Sequence, residues 1–349
     1  MPKYFQAVTV GDPHFDKMGN LLKAQHLDLQ IAELRKPFEY AVQNGIQEVW
    51  VLGDVAHKER LSEEARIALF KLLEEYDGRV IVRIILGNHD VAYDGFHALQ
   101  FFVELFKSKK FKTVFIYDKK KQVVINGVPV NFLPYPATQA LPHDTSTCDK
   151  SINVAHLERP GALRDNGMKI KKGDGVKQRD KNVWVIGHLH TPQTVGLTWY
   201  SGTLYQTSFG ESLPKSFMHI KARVDKDGLL DCKIKRIPVD PAFKLIPLVI
   251  EKRKDFKKIE DNPLYLYKLF IKSGVDVDFD IHKRYPNVWN SPVLFDDKKK
   301  IVLDAHEVEE IKYDIREGLK PTLKEMGATK PQIKRAQQLV DKILAKIAA

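Results

Sequence analysis

Cysteine is almost missing from this chain: its 349 residues include only Cys148 and Cys232. Neither belongs to a metal-type cysteine pair, so reduced thiols in a cytoplasmic protein are expected. Long apolar runs are also lacking. None approaches the roughly 20 residues that a membrane helix needs, so no membrane partner is expected. The start, Met1-Pro2-Lys3-Tyr4-Phe5, has no charged region followed by an apolar stretch, unlike a signal peptide. No internal repeat is visible, and low complexity is confined to the lysine runs 119–121 and 298–300. Hydrophobic residues make up 43% and charged residues 29%, which fits a globular protein, and 349 residues suffice for one large domain plus a smaller one, or for two domains.

Charge of one sign is in excess. Lys and Arg number 56 against 45 Asp and Glu, a net charge of +11. Such an excess suits a polyanionic partner, because neutralised phosphates release counterions. It equally suits a lysine-rich solvated surface, so the charge alone does not decide.

Apolar, β-branched runs predict strands over 5–10, 48–52, 80–86, 151–155 and 183–186. Helical spacing separates the first three. Leu27, Ile31, Leu34, Phe38 and Val42 recur on one face, and Gly45 follows as a stop. Ser62 is a plausible N-cap for a helix carrying Ile67, Phe70, Leu73 and Tyr76. A third helix, over 96–109, carries Phe96, Leu99, Phe102, Leu105 and Phe106. The alternation predicts a parallel sheet with right-handed crossovers. Strands over 113–117, 122–125 and 128–133 follow, the last two joined by an Asn126-Gly127 turn. The polar, lysine-rich stretch 162–181 reads as a mobile surface loop. A Pro-bounded break near Pro238 and Pro241 separates a domain 1–240 from a small α+β module 241–303, and a helical pattern sets off 304–349. That pattern has Asp304 and Glu307 as a capping box and Ile333, Ala336, Val340, Ile343 and Ile347 on one stripe.

Five short signatures follow those strands: Gly11-Asp12-Pro13-His14, Gly53-Asp54-Val55-Ala56-His57, Gly87-Asn88-His89-Asp90, Asn153-Val154-Ala155-His156 and Gly187-His188-Leu189-His190. In an open α/β sheet the carboxyl ends of strands are where ligands bind. Asp12 and Asp54 offer carboxylates, Asn88 an amide oxygen, and His14, His156, His188 and His190 imidazoles. This N/O set without thiolate suits Mn, Fe or Zn. Two divalent ions about 3.5–4 Å apart acidify water and neutralise charge on attacking and leaving oxygens, and they need a shared ligand. Gly11, Gly53, Gly87 and Gly187 let the backbone turn sharply toward such ions. His57 and His89 lie beside ligands and carry a titratable proton, which points to catalytic roles. Any one signature arises by chance; five in order at strand ends do not.

The ordered motifs resemble the calcineurin-like metallophosphoesterase superfamily. Gly53-Asp54-Val55-Ala56-His57, Gly87-Asn88-His89-Asp90 and Gly187-His188-Leu189-His190 look most like its DNA-repair nuclease branch, the SbcD-type subunit of a double-strand-break complex. The stretch Tyr200-Ser201-Gly202-Thr203-Leu204-Tyr205-Gln206-Thr207-Ser208-Phe209-Gly210-Glu211, then Lys215-Ser216-Phe217, is similar to the segment after the last metal motif in that branch. The resemblance covers about 1–240. It implies a two-sheet α/β sandwich flanked by helices, a small α+β capping domain that binds DNA, and a helical partner-binding tail. It implies one ion on Asp12, His14, Asp54 and His190, and another on Asp54, Asn88, His156 and His188. It gives His89, oriented by Asp90, the leaving oxygen, and His57 the scissile phosphate. The implied cofactor is Mn²⁺, and the implied activity is 3′→5′ exonuclease on duplex DNA with single-strand endonuclease action. The implied partners are DNA, an SbcC-type coiled-coil ABC ATPase bound through the tail, and a second copy docked through helices near 62–77 and 96–108. The aromatic excess of the third helix makes Phe102 and Phe106 candidates for that two-fold contact. Asp16 and Lys17 depart from the usual pattern after the first motif.

Three rival readings share the fold. A protein phosphatase usually shows Gly-Asn-His-Glu and an Arg after the second motif, where this chain has Asp90 and Lys58. A small-molecule phosphodiesterase needs neither a basic surface nor a helical tail. A scaffold without chemistry would usually have lost ligands, and none is missing here.

Overall fold

A computed structural model describes residues 4–17, 25–92, 95–107, 111–135, 151–165, 167–171, 173, 182–225, 230–290 and 292–295. Strand β1 (Phe5–Val10) pairs in parallel with β2 (Glu48–Val51), which pairs with β3 (Ile81–Ile85), then β4 (Val114–Tyr117). On the other side of β1 lie antiparallel β11 (Lys215–Val224) and β12 (Leu230–Val239), completing a six-stranded sheet. A second six-stranded sheet runs β5 (Lys121–Ile125), β6 (Val128–Leu133), β7 (Ile152–His156), β8 (Val183–Gly187), β10 (Thr198–Tyr200), β9 (Gln193–Val195). Asn126 and Gly127 both have positive φ, as a two-residue hairpin turn requires. The α/β sandwich is therefore as the motifs implied. The β9–β10 pair was not legible in the sequence, because three-residue strands carry too little periodicity.

The sheets face each other across a core of Phe5, Ala7, Trp50, Leu52, Val130, Phe132, Val154, Val185 and Ile220. Trp50 packs edge-on against Phe132, with ring centroids 5.6 Å apart. Its indole N–H donates to Glu48 (2.9 Å), which also takes two bonds from Arg83 (2.7 and 3.0 Å). A buried ion pair tolerates this environment because its polar atoms are matched.

Helix α1 (His26–Gln43) buries Leu34, Phe38 and Ala41 on the outer face of the first sheet. Helix α2 (Glu63–Tyr76) starts as the sequence suggests: Ser62 Oγ accepts from Ala65 N–H. Asp16 in turn accepts from Ser62 N–H and Oγ–H, both at 2.8 Å. The departure after the first motif thus ties the first loop to α2. Helix α3 (Gln100–Lys107) begins four residues later than its periodicity suggests. Leu99 and Phe102 are fully buried, so Phe102 is core and not an interface residue. The exposed apolar side chains here are Ile67 (46%) on α2, Phe101 (49%) on α3 and Phe96 (40%), which precedes α3.

The stretch read as a mobile loop also differs in its described part. Gly161 N–H bonds to Ile170 C=O (2.9 Å) and Ile170 N–H to Ala162 C=O (2.8 Å), and the side chains of Ala162 and Ile170 are buried. This is a small hairpin covering the second sheet; residues 174–181 lie outside the described residues.

Strands β13 (Lys244–Ile250) and β14 (Tyr265–Lys272), parallel, and β15 (Val293–Phe295) form a third sheet. A short helix α4 (Ile281–Arg284) follows β14, its N-terminus capped by Asp280. Gln206 exchanges two bonds with the Leu245 backbone (2.9 and 3.0 Å), and Phe209 stacks on Trp289 at 5.3 Å. The chain divides into units Met1–Leu294 and Phe295–Ala349. The tail 304–349 and Cys148 lie outside the described residues. Among the described residues no helix is long and apolar enough to cross a membrane.

Asp77, just after α2, anchors the start of β4. Its carboxylate accepts from Lys112 N–H (3.0 Å), Thr113 N–H (2.8 Å) and Thr113 Oγ–H (2.8 Å). Burial opposes the charge, but these amides outweigh it and hold the carboxyl below its ordinary value. The stabilisation is therefore present above an unfolded pKa of about 4 and is lost as pH falls through the folded one. Asp77→Ala is expected to cost on the order of 1–2 kcal/mol at pH 7 in chemical denaturation. The difference from wild type should shrink in acid; a constant difference would contradict the role.

Candidate metal centre

The first sheet delivers Asp12 and His14 after β1, Asp54 after β2 and Asn88 after β3. The second delivers His156 at the end of β7, and His188 and His190 after β8. The structure brings all seven together where the carboxyl edges of the two sheets meet. Ligand atoms of Asp12, His14 and Asp54 lie within 4.8 Å of one another, as do those of Asp54, His156 and His188. Asp54 belongs to both groups.

The spacing is that of donors around cations. His14 Nε2 lies 3.0 Å from His190 Nε2. His188 Nδ1 lies 3.2 Å from His156 Nε2, and both are 2.9 Å from Asn88 Oδ1. His156 Nε2 is 3.2 Å from Asp54 Oδ2, and its Nδ1 donates to Leu52 C=O at 2.8 Å, which leaves Nε2 as the lone-pair nitrogen. Asp12 Oδ2 and His14 Nδ1 are buried without a hydrogen-bond partner. Converging lone pairs and an orphaned carboxylate oxygen fit divalent cations and fit little else.

Backbone strain is concentrated here. Asp12, His14, Asp54 and His188 all have positive φ, between 46° and 85°. Non-glycine residues in that region cost about 1–3 kcal/mol each and persist where the surroundings over-determine them. The glycines supply the close approach. A Cβ on Gly87 would stand 2.1 Å from Asp54 Oδ1, and one on Gly53 would stand 2.6 Å from His156 Nδ1. Gly53 itself has φ +93°.

Asp54 Oδ1 accepts from His89 N–H and Asp12 Oδ1 from His188 N–H, both at 2.8 Å. Burial pushes Asp12 up to about 6, opposed by the His156 charge. Burial acts on Asp54 in the same sense, but His156, His14 and His89 outweigh it and hold that carboxyl below the usual range. Burial would lower His156, yet Asp54 and Asp12 raise it to about 9.

His57 and His89 flank the cluster. Their rings stack at 5.8 Å, and His89 lies edge-on to His14 at 5.1 Å. Burial lowers both, His57 to about 4. Asp90 does not orient His89. Its oxygens accept from Ala56 N–H and Gly87 N–H, each at 2.8 Å, so it clamps the second motif to the third. His89 Nδ1 instead donates to His57 C=O at 3.0 Å.

Several supporting residues carried no signal in their residue types. Gln30 of α1 donates to His14 C=O (3.1 Å) and to the Tyr205 hydroxyl (2.9 Å), and Tyr205 donates to Pro13 C=O. Glu158, held by two bonds from Arg164 (2.9 Å each), lies 3.6 Å from His188 Nε2. Asp165, at the hairpin tip, accepts from Thr191 N–H and Oγ–H (3.0 and 2.9 Å). A helical Gln and loop acids are too common in sequences to stand out.

Metal binding requires Asp12 ionised and His156 neutral, so affinity for Mn²⁺ should rise as pH rises through the interval from about 6 to about 9. Protons should be released on binding. Calorimetry in two buffers of different ionisation enthalpy reads this directly, and a heat equal in both would contradict it. Asp54→Ala removes the carboxylate common to both groups and should lower the content of both ions while circular dichroism stays native.

The profile of the calcineurin-like phosphoesterase family matches residues 7–212. No curated protein matches the chain. Among solved structures, similarity extends to an archaeal phosphodiesterase (11% identity, 67% of this chain and 100% of that one, TM-score 0.32). It extends also to a hypothetical protein of Thermus thermophilus (14%, 68% and 100%, TM-score 0.34). A third is the inner-membrane-complex anchor GAP50 of Plasmodium (11%, 68% and 90%, TM-score 0.37). These likenesses are too distant to bear on activity. The family match spans more than half of the chain and contains the whole two-sheet cluster of carboxylates, amide and imidazoles, so this protein belongs to the calcineurin-like phosphoesterases, hydrolases that use divalent metals on phosphoesters.

Proposed function

We propose that the protein is a manganese-dependent DNA nuclease of the SbcD type, with 3′→5′ exonuclease action on duplex DNA and endonuclease action on single strands. The observation that carries the hydrolytic part is Asp54, whose carboxylate lies within ligand distance of two separate groups. Asp12, His14, Asp54 and His190 would hold one ion, and Asp54, Asn88, His156 and His188 the other. Bound there, a pair of divalent ions supplies charge neutralisation and an acidified water. The DNA part is supported by the +11 net charge and by Asp90 and Lys58 in place of a phosphatase Glu and Arg.

His89 is fixed through Nδ1–H on the His57 carbonyl, which leaves Nε2 to face a substrate. Burial keeps the ring neutral at pH 7. The negative charge of an approaching phosphodiester raises the proton affinity of the ring, so Nε2 takes up a proton from solvent and then passes that proton to the departing 3′ oxygen. His57, stacked beside it, positions the phosphate. The small third sheet would cap the DNA. The tail 304–349 would dock on a coiled-coil ABC ATPase, a reading that rests on the resemblance alone. A second copy would dock through Ile67, Phe96 and Phe101, where Arg60 and Arg66 lie over the two rings at 5.4 and 5.5 Å.

The separating experiment is an assay of plasmid, duplex ends and a cyclic nucleotide with Mn²⁺. Cleavage of DNA that stops in Asp54→Ala supports the reading; turnover of the cyclic nucleotide alone would favour a small-molecule phosphodiesterase. His89→Ser should lower DNA cleavage by about 10²–10⁴-fold while both ions still bind. Loss of an ion in that variant would instead make His89 a ligand. Phe101→Asp should convert dimers to monomers in light scattering without loss of small-diester cleavage. A wild-type protein that is monomeric at micromolar concentration would remove the dimer proposal.

A further inference from the structure

The segment after the last metal motif ends in Glu211 and Lys215, and hydrolysis as derived above uses neither. Both are nearly sealed from solvent, at 4% and 0% exposure. Glu211 Oε1 accepts from His190 Nδ1 at 2.9 Å, from Thr207 N–H at 3.1 Å and from the Thr207 hydroxyl. Glu211 Oε2 accepts from Lys215 Nζ at 2.6 Å and from the Thr203 hydroxyl at 3.3 Å. Lys215 also donates to Thr203 Oγ (2.9 Å) and lies 3.4 Å from His190 C=O. Thr203 N–H donates to the same carbonyl at 3.1 Å. The strand-end segment thus grips His190 at both its backbone and its ring.

The ring contact has a chemical consequence. An imidazole whose Nδ1–H donates to a carboxylate presents Nε2 as its lone pair. Nε2 is the atom that meets His14 Nε2 at 3.0 Å. The neighbouring His188 points inward through Nδ1, with Nε2 turned outward toward Glu158. Two histidines two residues apart in sequence therefore need opposite tautomers, and Glu211 is the group placed to impose one of them. Asp165 Oδ2 stands farther off, at 3.4 Å from His190 Nδ1. A further cation between Asp165, His190 and Glu211 is disfavoured by the ammonium group already on Glu211.

We propose that Glu211, itself fixed by Lys215, Thr203 and Thr207, is a positioning residue that holds His190 in the Nδ1–H tautomer and so sets the affinity of one ion site only. The proposal rests on His190 being a metal ligand. Lys215 makes the test specific. In Glu211→Gln the side chain has one carbonyl and one amide end. Either the amide faces Lys215 and Thr203, donor against donor, or it faces His190 Nδ1–H. If Lys215→Met is added, the amide can face Thr203 and the carbonyl can return to His190.

The experiment is Mn²⁺ calorimetry on the full chain, with long-range ¹H–¹⁵N spectra of the histidine rings in metal-free protein. Wild type should bind two ions and show His190 protonated at Nδ1 and His188 at Nε2. Glu211→Gln should weaken one site by about 10–100-fold, leave the other within about twofold, and shift the His190 ring signals alone. The double variant should regain most of that affinity. Unchanged binding and an unchanged His190 tautomer in Glu211→Gln would overturn the proposal, as would equal weakening of both sites. If Glu211→Gln does not fold, the double variant decides: normal binding of both ions supports the proposal, and selective loss of one overturns it. A wild type that binds no ion would instead remove the metal-centre reading itself.

Discussion

Three carboxylates, Asp12, Asp54 and Asp90, are buried near one another at the meeting edge of two sheets, and everything else in this region answers to that concentration of negative charge. Isolated carboxylates are very costly to bury. The fold handles the three differently. Burial, with the Asp54 charge nearby, pushes Asp90 up to about 7 against the backbone amides of Ala56 and Gly87, which favour its charge. Asp54 keeps its charge among three imidazoles. Asp12 is intermediate and retains a partnerless oxygen. A charge arrangement that proteins alone satisfy imperfectly is what a cation site looks like before the cation is considered.

Around that centre the support is layered. Left-handed backbone at four ligand positions aims the side chains, and glycines remove the Cβ atoms that would collide with them. Gln30 and Tyr205 hold the first loop by its carbonyls, Leu52 C=O fixes His156, and Glu211 fixes His190. These partners come from a helix, a core strand and a late loop, so the centre is rigid only once distant parts of the chain have folded together. Preorganisation of this kind lets a polar site act on charge without rearranging at the moment of reaction.

Much of this was legible from residue order. Strands β1, β2, β3, β7 and β8 coincide with apolar runs because each is buried on both faces and reads as continuous β-branched sequence. The ligand candidates were legible because Asp, Asn and His cluster at strand ends five times, four of those times just after a glycine. Other features were hidden for identifiable reasons. Phe101 and Phe102 are adjacent and equally apolar, yet one is 49% exposed and the other fully buried. Only the true start of α3 decides which is which. Asp90 follows His89 directly, but adjacency in a turn points successive side chains apart, and the carboxylate goes to the second motif. The hairpin after Gly161 looked unstructured because its two apolar anchors, Ala162 and Ile170, are eight residues apart amid polar neighbours.

The ligands arrive from two sheets that touch mainly through side chains. Among the described residues no backbone ladder ties β1, β2 and β3 to β7 and β8, so the gap between the two halves of the centre is set by the hydrophobic layer between them together with two bonds across it, His156 to Leu52 C=O and His188 N–H to Asp12. Trp50, Phe5 and Phe132 act as a spacer, as shims do in a machine vice. Protein interiors are close-packed and resist compression, so the spacing survives thermal motion. It also makes the chemistry answerable to residues that never meet a substrate. A lineage that swaps Phe132 for a smaller side chain would be altering the jaw width of its own catalyst, and selection on turnover would register there as a preference for bulk.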